Sequence, residues 1–264
     1  MKMDFLVLTG VASRRWMVVS TAITTNTTLL GNFYDVHSSA FLTTTGTLSG
    51  YYEKCTGSTY SFASGNAAVG GTISGTMIDC IGAGTCFASS NSTTGGTISG
   101  TLTRCKATGD VSFASSASGN AGTLSGIFIE CLADGGTTTS FASSTATGNG
   151  GTLSGDFTRC KSTVVKSFGF GVTAGTLNGK FYNCRTTASN SFGCFSTTGA
   201  NLSGTFIDTR KNFSINDKVS TSIIFWISSA TSFKLFETSS SFLSIHVPGL
   251  TTSTFWLGKA HLLI

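Results

Sequence analysis

Thiols and carboxylates are the groups whose spacing separates metal, disulfide, acid–base and packing roles, and both recur along this chain. Eight cysteines occur in 264 residues. Six of them, Cys55, Cys80, Cys105, Cys131, Cys160 and Cys184, follow one another at 24–29-residue steps. The other two, Cys86 and Cys194, stand off that series, and no pair has the CxxC or Cys/His spacing of a zinc site. One thiol per repeat reads as a packing rank, because free cysteine behaves as a small buried hydrophobe. A bridge through Cys86 or Cys194 is the competing reading.

The carboxylates give the same kind of answer. Glycoside cleavage needs two acids about 5–9.5 Å apart, and Asp79 and Glu130 fall two repeats apart, roughly 10 Å by strand spacing. Arg104 lies between them, which favours a salt column over an acid–base pair. Asp156 and Glu53 lack an acidic companion at that spacing, and His37, His246 and His261 each lack a partner at catalytic or metal spacing. These residues predict a non-enzymatic protein with no cofactor.

What must position these side chains is a repeat. The phrase Gly-Thr-Leu/Ile-Ser-Gly begins at Gly46, Gly71, Gly96, Gly122 and Gly151, as Gly-Thr-Leu-Asn-Gly at Gly175, and in worn form at Ala200. Nine residues after each start comes the cysteine, with Thr209 in the last copy, and seven to ten residues after the cysteine comes Phe62, Phe87, Phe113, Phe141, Phe168 or Phe192. Length varies only between Cys and Phe and in the Gly/Ala/Asn/Ser/Thr stretch beyond, where loops on a repeat scaffold would lie. Short β-branched and aromatic runs between Gly/Ser clusters read as strands and turns.

Within each copy the Thr-Leu-Ser triplet alternates out, in, out. The predicted inward ranks are Leu48, Ile73, Ile98, Leu124, Leu153, Leu177 and Leu202; Tyr52, Met77, Leu102, Phe128, Phe157, Phe181 and Phe206; and the Phe62 to Phe192 series. Stacked like on like at the ~4.8 Å strand spacing, they form one long core. The fold predicted is all-β, a right-handed parallel β-helix of about seven coils of ~25 residues. Residues 46–209 form the repeat domain, 1–45 an N-terminal cap or attachment segment in which Gly31 to Val36 is a worn half-repeat, and 210–264 a C-terminal cap or docking segment. The residue before each cysteine runs Lys54, Asp79, Arg104, Glu130, Arg159, Asn183, Asp208. Its alternating sign suits in-register stacking, since like charges directly opposite destabilise a strand pair.

Composition excludes several functions. The chain has 16 Lys+Arg against 11 Asp+Glu, and only 10% charged residues. No Lys/Arg cluster is dense enough to neutralise several phosphates, so nucleic acid is not an expected partner. No stretch approaches the ~20 apolar residues of a membrane span. The N-terminal segment carries Lys2, an apolar run from Phe5 to Ala12 and then Arg14-Arg15, a weak match to a leader peptide.

Two surfaces remain as candidates for binding. Thr47, Thr72, Thr97, Thr123 and Thr152, with Thr176, form one outward rank; Ser49, Ser74, Ser99, Ser125 and Ser154 form the next. Together they make a regular lattice of small hydroxyls, similar to the Thr-x-Thr faces of β-helical antifreeze proteins but with one rank of Ser. The second surface lies in the C-terminal segment, where Ile223, Phe225, Trp226, Phe255 and Trp256 supply more apolar surface than one coil end needs. That excess predicts an interface.

The unit Gly175-Thr-Leu-Asn-Gly-Lys-Phe181-Tyr-Asn-Cys184, followed by Ser191-Phe192-Gly193, resembles Gly/Thr-rich β-helix repeats of virion-surface, phage tail-fibre-like and adhesin proteins. The resemblance spans Gly46 to Asp208. It implies a rigid structural or attachment rod on a virion (tail fibre, spike or capsid decoration) or on a cell surface. Its implied partners are other virion or surface structural proteins, itself as a homotrimer, and a host receptor or glycan. The alternative is a secreted ice- or glycan-binding solenoid.

Overall fold

A computed structural model describes residues 28–41, 46–65, 69–135, 138–145, 148–171, 175–187 and 204–207, together with the strand backbone of 17–19, 190–191, 201–202, 223–226, 241–246 and 253–257. Every described element is a β-strand, and the strands stack as coils of a parallel β-solenoid with three faces. The first face, here the hydroxyl face, stacks eight two-residue strands from Thr28–Leu29 to Asn201–Leu202. The second, the broad face, begins at Asn32–Tyr34 and stacks three-residue strands such as Thr76–Ile78. The third face joins the pieces on either side of the loop between Cys and Phe, such as Ile81–Gly82 and Thr85–Cys86.

The register is the one the repeat predicts: Leu48 pairs with Ile73, Ile98 with Leu124, Tyr52 with Met77, and Phe128 with Phe157. All of these side chains are buried in one continuous core. Phe62, Phe87, Phe113, Phe141 and Phe168 stack face over face with centroids 4.5–4.9 Å apart. The rank starts one coil earlier than the repeat suggests, because Phe41 stacks on Phe62 at 4.8 Å. Phe192 and the side chains of Leu202 and Phe206 lie outside the described residues.

The turn count needs correction. The solenoid amounts to about five turns, not seven. The turns starting at Gly46, Gly71, Gly96, Gly122 and Gly151 are present on all three faces. The copy at Gly175 is described to Asn190–Ser191 on the third face. The copy at Ala200 has Thr209 in place of Cys and no Phe at the repeat spacing, so it lacks the residues that build both corners.

Parallel pairing nevertheless runs past the repeat at both ends, with shorter coils. Phe33 pairs with Tyr52 and Tyr52 with Met77, so the coil before the first full repeat is visibly the shorter of the two. At the other end Phe206 pairs with Phe225 and Phe225 with Ile245, again over steps shorter than any in the repeat. The outermost strand, Ser253–Leu257, runs antiparallel to Ser241–His246. This antiparallel pair ends the run of parallel pairing on the broad face.

Glycine spacing follows from coil approach. A Cβ on Gly96 would sit 1.9 Å from the Gly71 carbonyl oxygen, and one on Gly100 would sit 2.0 Å from that of Gly75. Only glycine lets neighbouring backbones come this close on both sides of the Thr-Ile-Ser triplet.

Candidate binding surfaces

The hydroxyl face is built as the sequence predicts. Thr47, Thr72, Thr97, Thr123, Thr152 and Thr176 are paired one to the next across six coils. Each is half-buried, while Ser74, Ser99, Ser125 and Ser154 are exposed and Ser49 is half-buried. Thr28 extends the Thr column by one coil at its start. The result is a flat two-column lattice, with neighbours about 4.8 Å apart between coils and about 6.7 Å apart along each strand. Such a surface offers hydroxyl donors and acceptors at a fixed two-dimensional spacing and carries no charge.

The five apolar C-terminal residues separate by register. Phe225 continues the broad-face column that runs through Tyr52 and Phe206, while Ile223 and Phe255 both pair with Leu243. Trp226 continues the alternate column through Ile207 and Tyr182, and Trp256 pairs with Phe242 in its neighbour. The side chains of all five residues lie outside the described residues.

The acid pair considered for catalysis is held by guanidinium groups. Arg104 donates to both oxygens of Asp79, at 2.7 and 2.9 Å, and Arg159 approaches Glu130 Oε1 at 2.7 Å. The Arg104 hydrogen bond holds the Asp79 carboxyl below the usual carboxylate range. The column before cysteine is therefore a charge ladder in the described coils; Asp208 lies outside the described residues.

That column has a second property the sequence reading misses. Asp35, Lys54, Asp79, Arg104, Glu130, Arg159 and Asn183 all adopt φ between 50° and 55°. Left-handed backbone at a non-glycine residue is uncommon, and here it turns the chain from the broad face to the third. Its only trace in the sequence is that these residues are charged or Asn, of which Asp and Asn tolerate the conformation best.

The cysteine rank is buried and unbridged: Cys55, Cys80, Cys105, Cys131, Cys160 and Cys184 are free thiols, as is Cys86. Cys194 lies outside the described residues. Each thiol of the rank from Cys80 to Cys184 points at a carbonyl of the preceding coil, as in Cys105 to Met77 O at 3.5 Å and Cys131 to Leu102 O at 3.4 Å. Burial pushes the Cys105 and Cys160 thiols well up, and that of Cys86 up to about 12.

Comparison with known proteins returns no match: no family model, no curated protein and no solved structure resembles this chain closely enough to place it in a family.

Proposed function

We propose that this chain is a non-enzymatic, rigid structural or attachment rod carried on the surface of a virion or cell. The observation that carries the reading is the investment of the repeat in stiffness. Three apolar ranks and a thiol rank stack in register through the core, while the outward positions repeat small hydroxyls. A right-handed coil sense goes with this reading, since about 98% of parallel crossover connections take that hand. So do terminal segments that cap or dock the rod, and closed self-association as a trimer through residues 210–264. The partners are then other structural proteins of the particle and a receptor on the host.

The test is to raise antibodies against the repeat and label purified particles, intact cells and the secreted fraction. Label on particles or cell surfaces is the expected outcome. Soluble chain in the secreted fraction, with none on either surface, overturns the reading.

The hydroxyl lattice favours a second reading, a secreted solenoid that binds ice. Thermal hysteresis of the purified chain, lost when Thr97 and Thr123 are replaced by Lys, would support it. Absence of hysteresis removes it.

A further inference from the structure

Opposite charges meet almost everywhere on this surface. Asp79 faces Arg104, Glu130 faces Arg159, Lys106 faces Asp134 at 3.0 Å, and Asp156 faces Lys180 at 3.6 Å. One place breaks the rule. Lys161 and Arg185 are direct register partners on the third face, both exposed, and among the described residues neither forms an ion pair. Like charges opposite one another destabilise a strand pair, so this pair works against the coil stacking around it. Arg185 donates to Asn183 Oδ1 at 3.1 Å, which draws its guanidinium toward the corner between the third and broad faces.

Just across that corner, in the same coil, Tyr182 is 49% exposed on the broad face. It lines a shallow groove of about 170 Å³ together with Asp156, Thr158, Lys180, Thr205 and Ile207. One coil thus carries Lys180, Tyr182 and Arg185 in sequence, with Lys161 beside Arg185. An aromatic ring offers a face for a sugar ring, Thr158 and Thr205 flank it with hydroxyls, and the cation pair on the adjoining face is the partner for an acidic substituent. Three or four cations are too few for a nucleic acid backbone of continuous charge.

We infer that the corner formed by Lys161, Arg185 and Tyr182 binds an acidic polysaccharide, with its carboxylate or sulfate groups on the cation pair and a sugar ring on Tyr182. The inference rests on the solenoid's register and not on which particle carries the rod, so the two can fail separately.

The experiment is titration calorimetry of the full chain with heparin, with polygalacturonate and with neutral dextran. Expected is salt-sensitive binding of at least one acidic polymer and none of dextran. K161Q/R185Q should weaken binding about tenfold or more, since hydrogen bonds to charged groups are the strong ones. Y182A should weaken it by a smaller factor. K54Q removes an exposed cation near the other end of the repeat and should leave binding unchanged. All four positions are exposed, and circular dichroism melts check that the variants fold. Failure to bind either acidic polymer overturns the inference, as does an equal loss in K54Q. Tighter binding of duplex DNA or of phosphatidylserine vesicles through the same cation pair would overturn the assignment to polysaccharide.

Discussion

Two of the corners that turn each coil solve the same problem with different chemistry. At the cysteine corner a single left-handed residue, such as Arg104, turns the chain and the following thiol faces inward. At the Phe corner two consecutive residues are left-handed: Phe62-Ala63, Phe87-Ala88, Phe113-Ala114, Phe141-Ala142 and Phe168-Gly169. One left-handed residue leaves the stacking hydrogen bonds intact, as Arg104 N–H donates to Ile129 O at 2.8 Å and Lys106 N–H to Cys80 O at 2.8 Å. Two in succession rotate a carbonyl out of the ladder. The Ala114 carbonyl accepts from the N–H of Gly122, eight residues further along the chain, at 2.7 Å, so the N–H stacked on it in the next coil, that of Ser143, has no carbonyl to bond.

Serine supplies the missing acceptor. Ser89 N–H donates to Ser64 Oγ, Ser115 N–H to Ser89 Oγ, Ser143 N–H to Ser115 Oγ, and Phe170 N–H to Ser143 Oγ, all at 3.1 Å. These serines are fully buried. A buried polar group without a partner costs far more than a typical bond returns, so serine at this corner is required by the backbone. Cysteine at the other corner fills space.

The largest effect should come from the side chain that anchors the doubly turned corner. Phe141 stacks between Phe113 at 4.7 Å and Phe168 at 4.5 Å and has no exposed surface. Phe141→Ala should cost about 3–5 kcal/mol, read as a lower midpoint in urea unfolding at unchanged slope. A cost under about 1 kcal/mol would mean that the stack does not hold the corner.

The comparison itself is tested by removing one heteroatom from each corner. Ser115→Ala leaves the Ser143 N–H buried and unpaired and should cost about 1–3 kcal/mol. Cys105→Ala removes a weak contact and a small apolar volume, for about 1 kcal/mol. Equal costs, or the reverse order, would show that serine packs and does not complete a ladder. Native-state hydrogen exchange at Ser143 adds a local readout, since its amide should lose protection in Ser115→Ala.

How much of this is legible depends on what each feature leaves in the sequence. Side chains that must be apolar at fixed spacing leave an unambiguous mark, so the ranks of Leu48, Tyr52, Cys55 and Phe62 can be placed, with the two hydroxyl columns of the outer lattice. Backbone conformation leaves almost none. Left-handed φ at Lys54 or Phe87 is imposed by stacking, and neither residue type announces it; the Ser-Phe-Ala-Ser phrase looks like loop composition until the hydrogen bonds are known. Phe41 escapes the pattern because its coil is shorter than the repeat and carries neither the glycine phrase nor the cysteine. The repeat phrase overcounts turns because it records a hydroxyl-face strand, and the copy at Ala200 keeps that strand without the Cys and Phe that follow it in the other copies. The cation pair needs register, since Lys161 and Arg185 lie a whole coil apart along the chain and become adjacent only once coils stack.

A smaller effect is expected at the charged corner. The Asp79–Arg104 pair is about one-third to one-half exposed, so solvent screening keeps its contribution small. Arg104 lowers the folded-state pKa of Asp79. The pair's contribution is therefore present above the unfolded carboxyl value near 4, and is lost as pH falls through the lower folded value. Asp79→Asn should thus destabilise slightly at pH 7 and leave stability less sensitive to acid below about pH 4. A double-mutant cycle with Arg104→Gln measures the coupling; a value above about 2 kcal/mol would place this exposed ladder among the structural supports of the corner.

The smallest net effect is expected where two costs oppose each other within the Phe corner. Ala114 has φ of 56° and is fully buried. Ala114→Gly relieves the left-handed strain of an L-residue, worth about 1–2 kcal/mol, but removes a buried methyl worth about 0.8 kcal/mol and gives the unfolded chain more freedom, about 0.4–1 kcal/mol. The sum lies within about 1 kcal/mol of zero. The same position carries Gly169 one stacked Phe beyond Phe141, at φ of 80°, so the corner accommodates both residues. Calorimetric melting of Ala114→Gly should shift little, and Gly169→Ala should be equally mild or worse, because a Cβ there would meet Leu177 Cδ1 at 2.7 Å. A large gain from Ala114→Gly would mean that the double left-handed turn is strained well beyond what its stacking partners offset, and that the serine ladder holds closed a corner that would otherwise open.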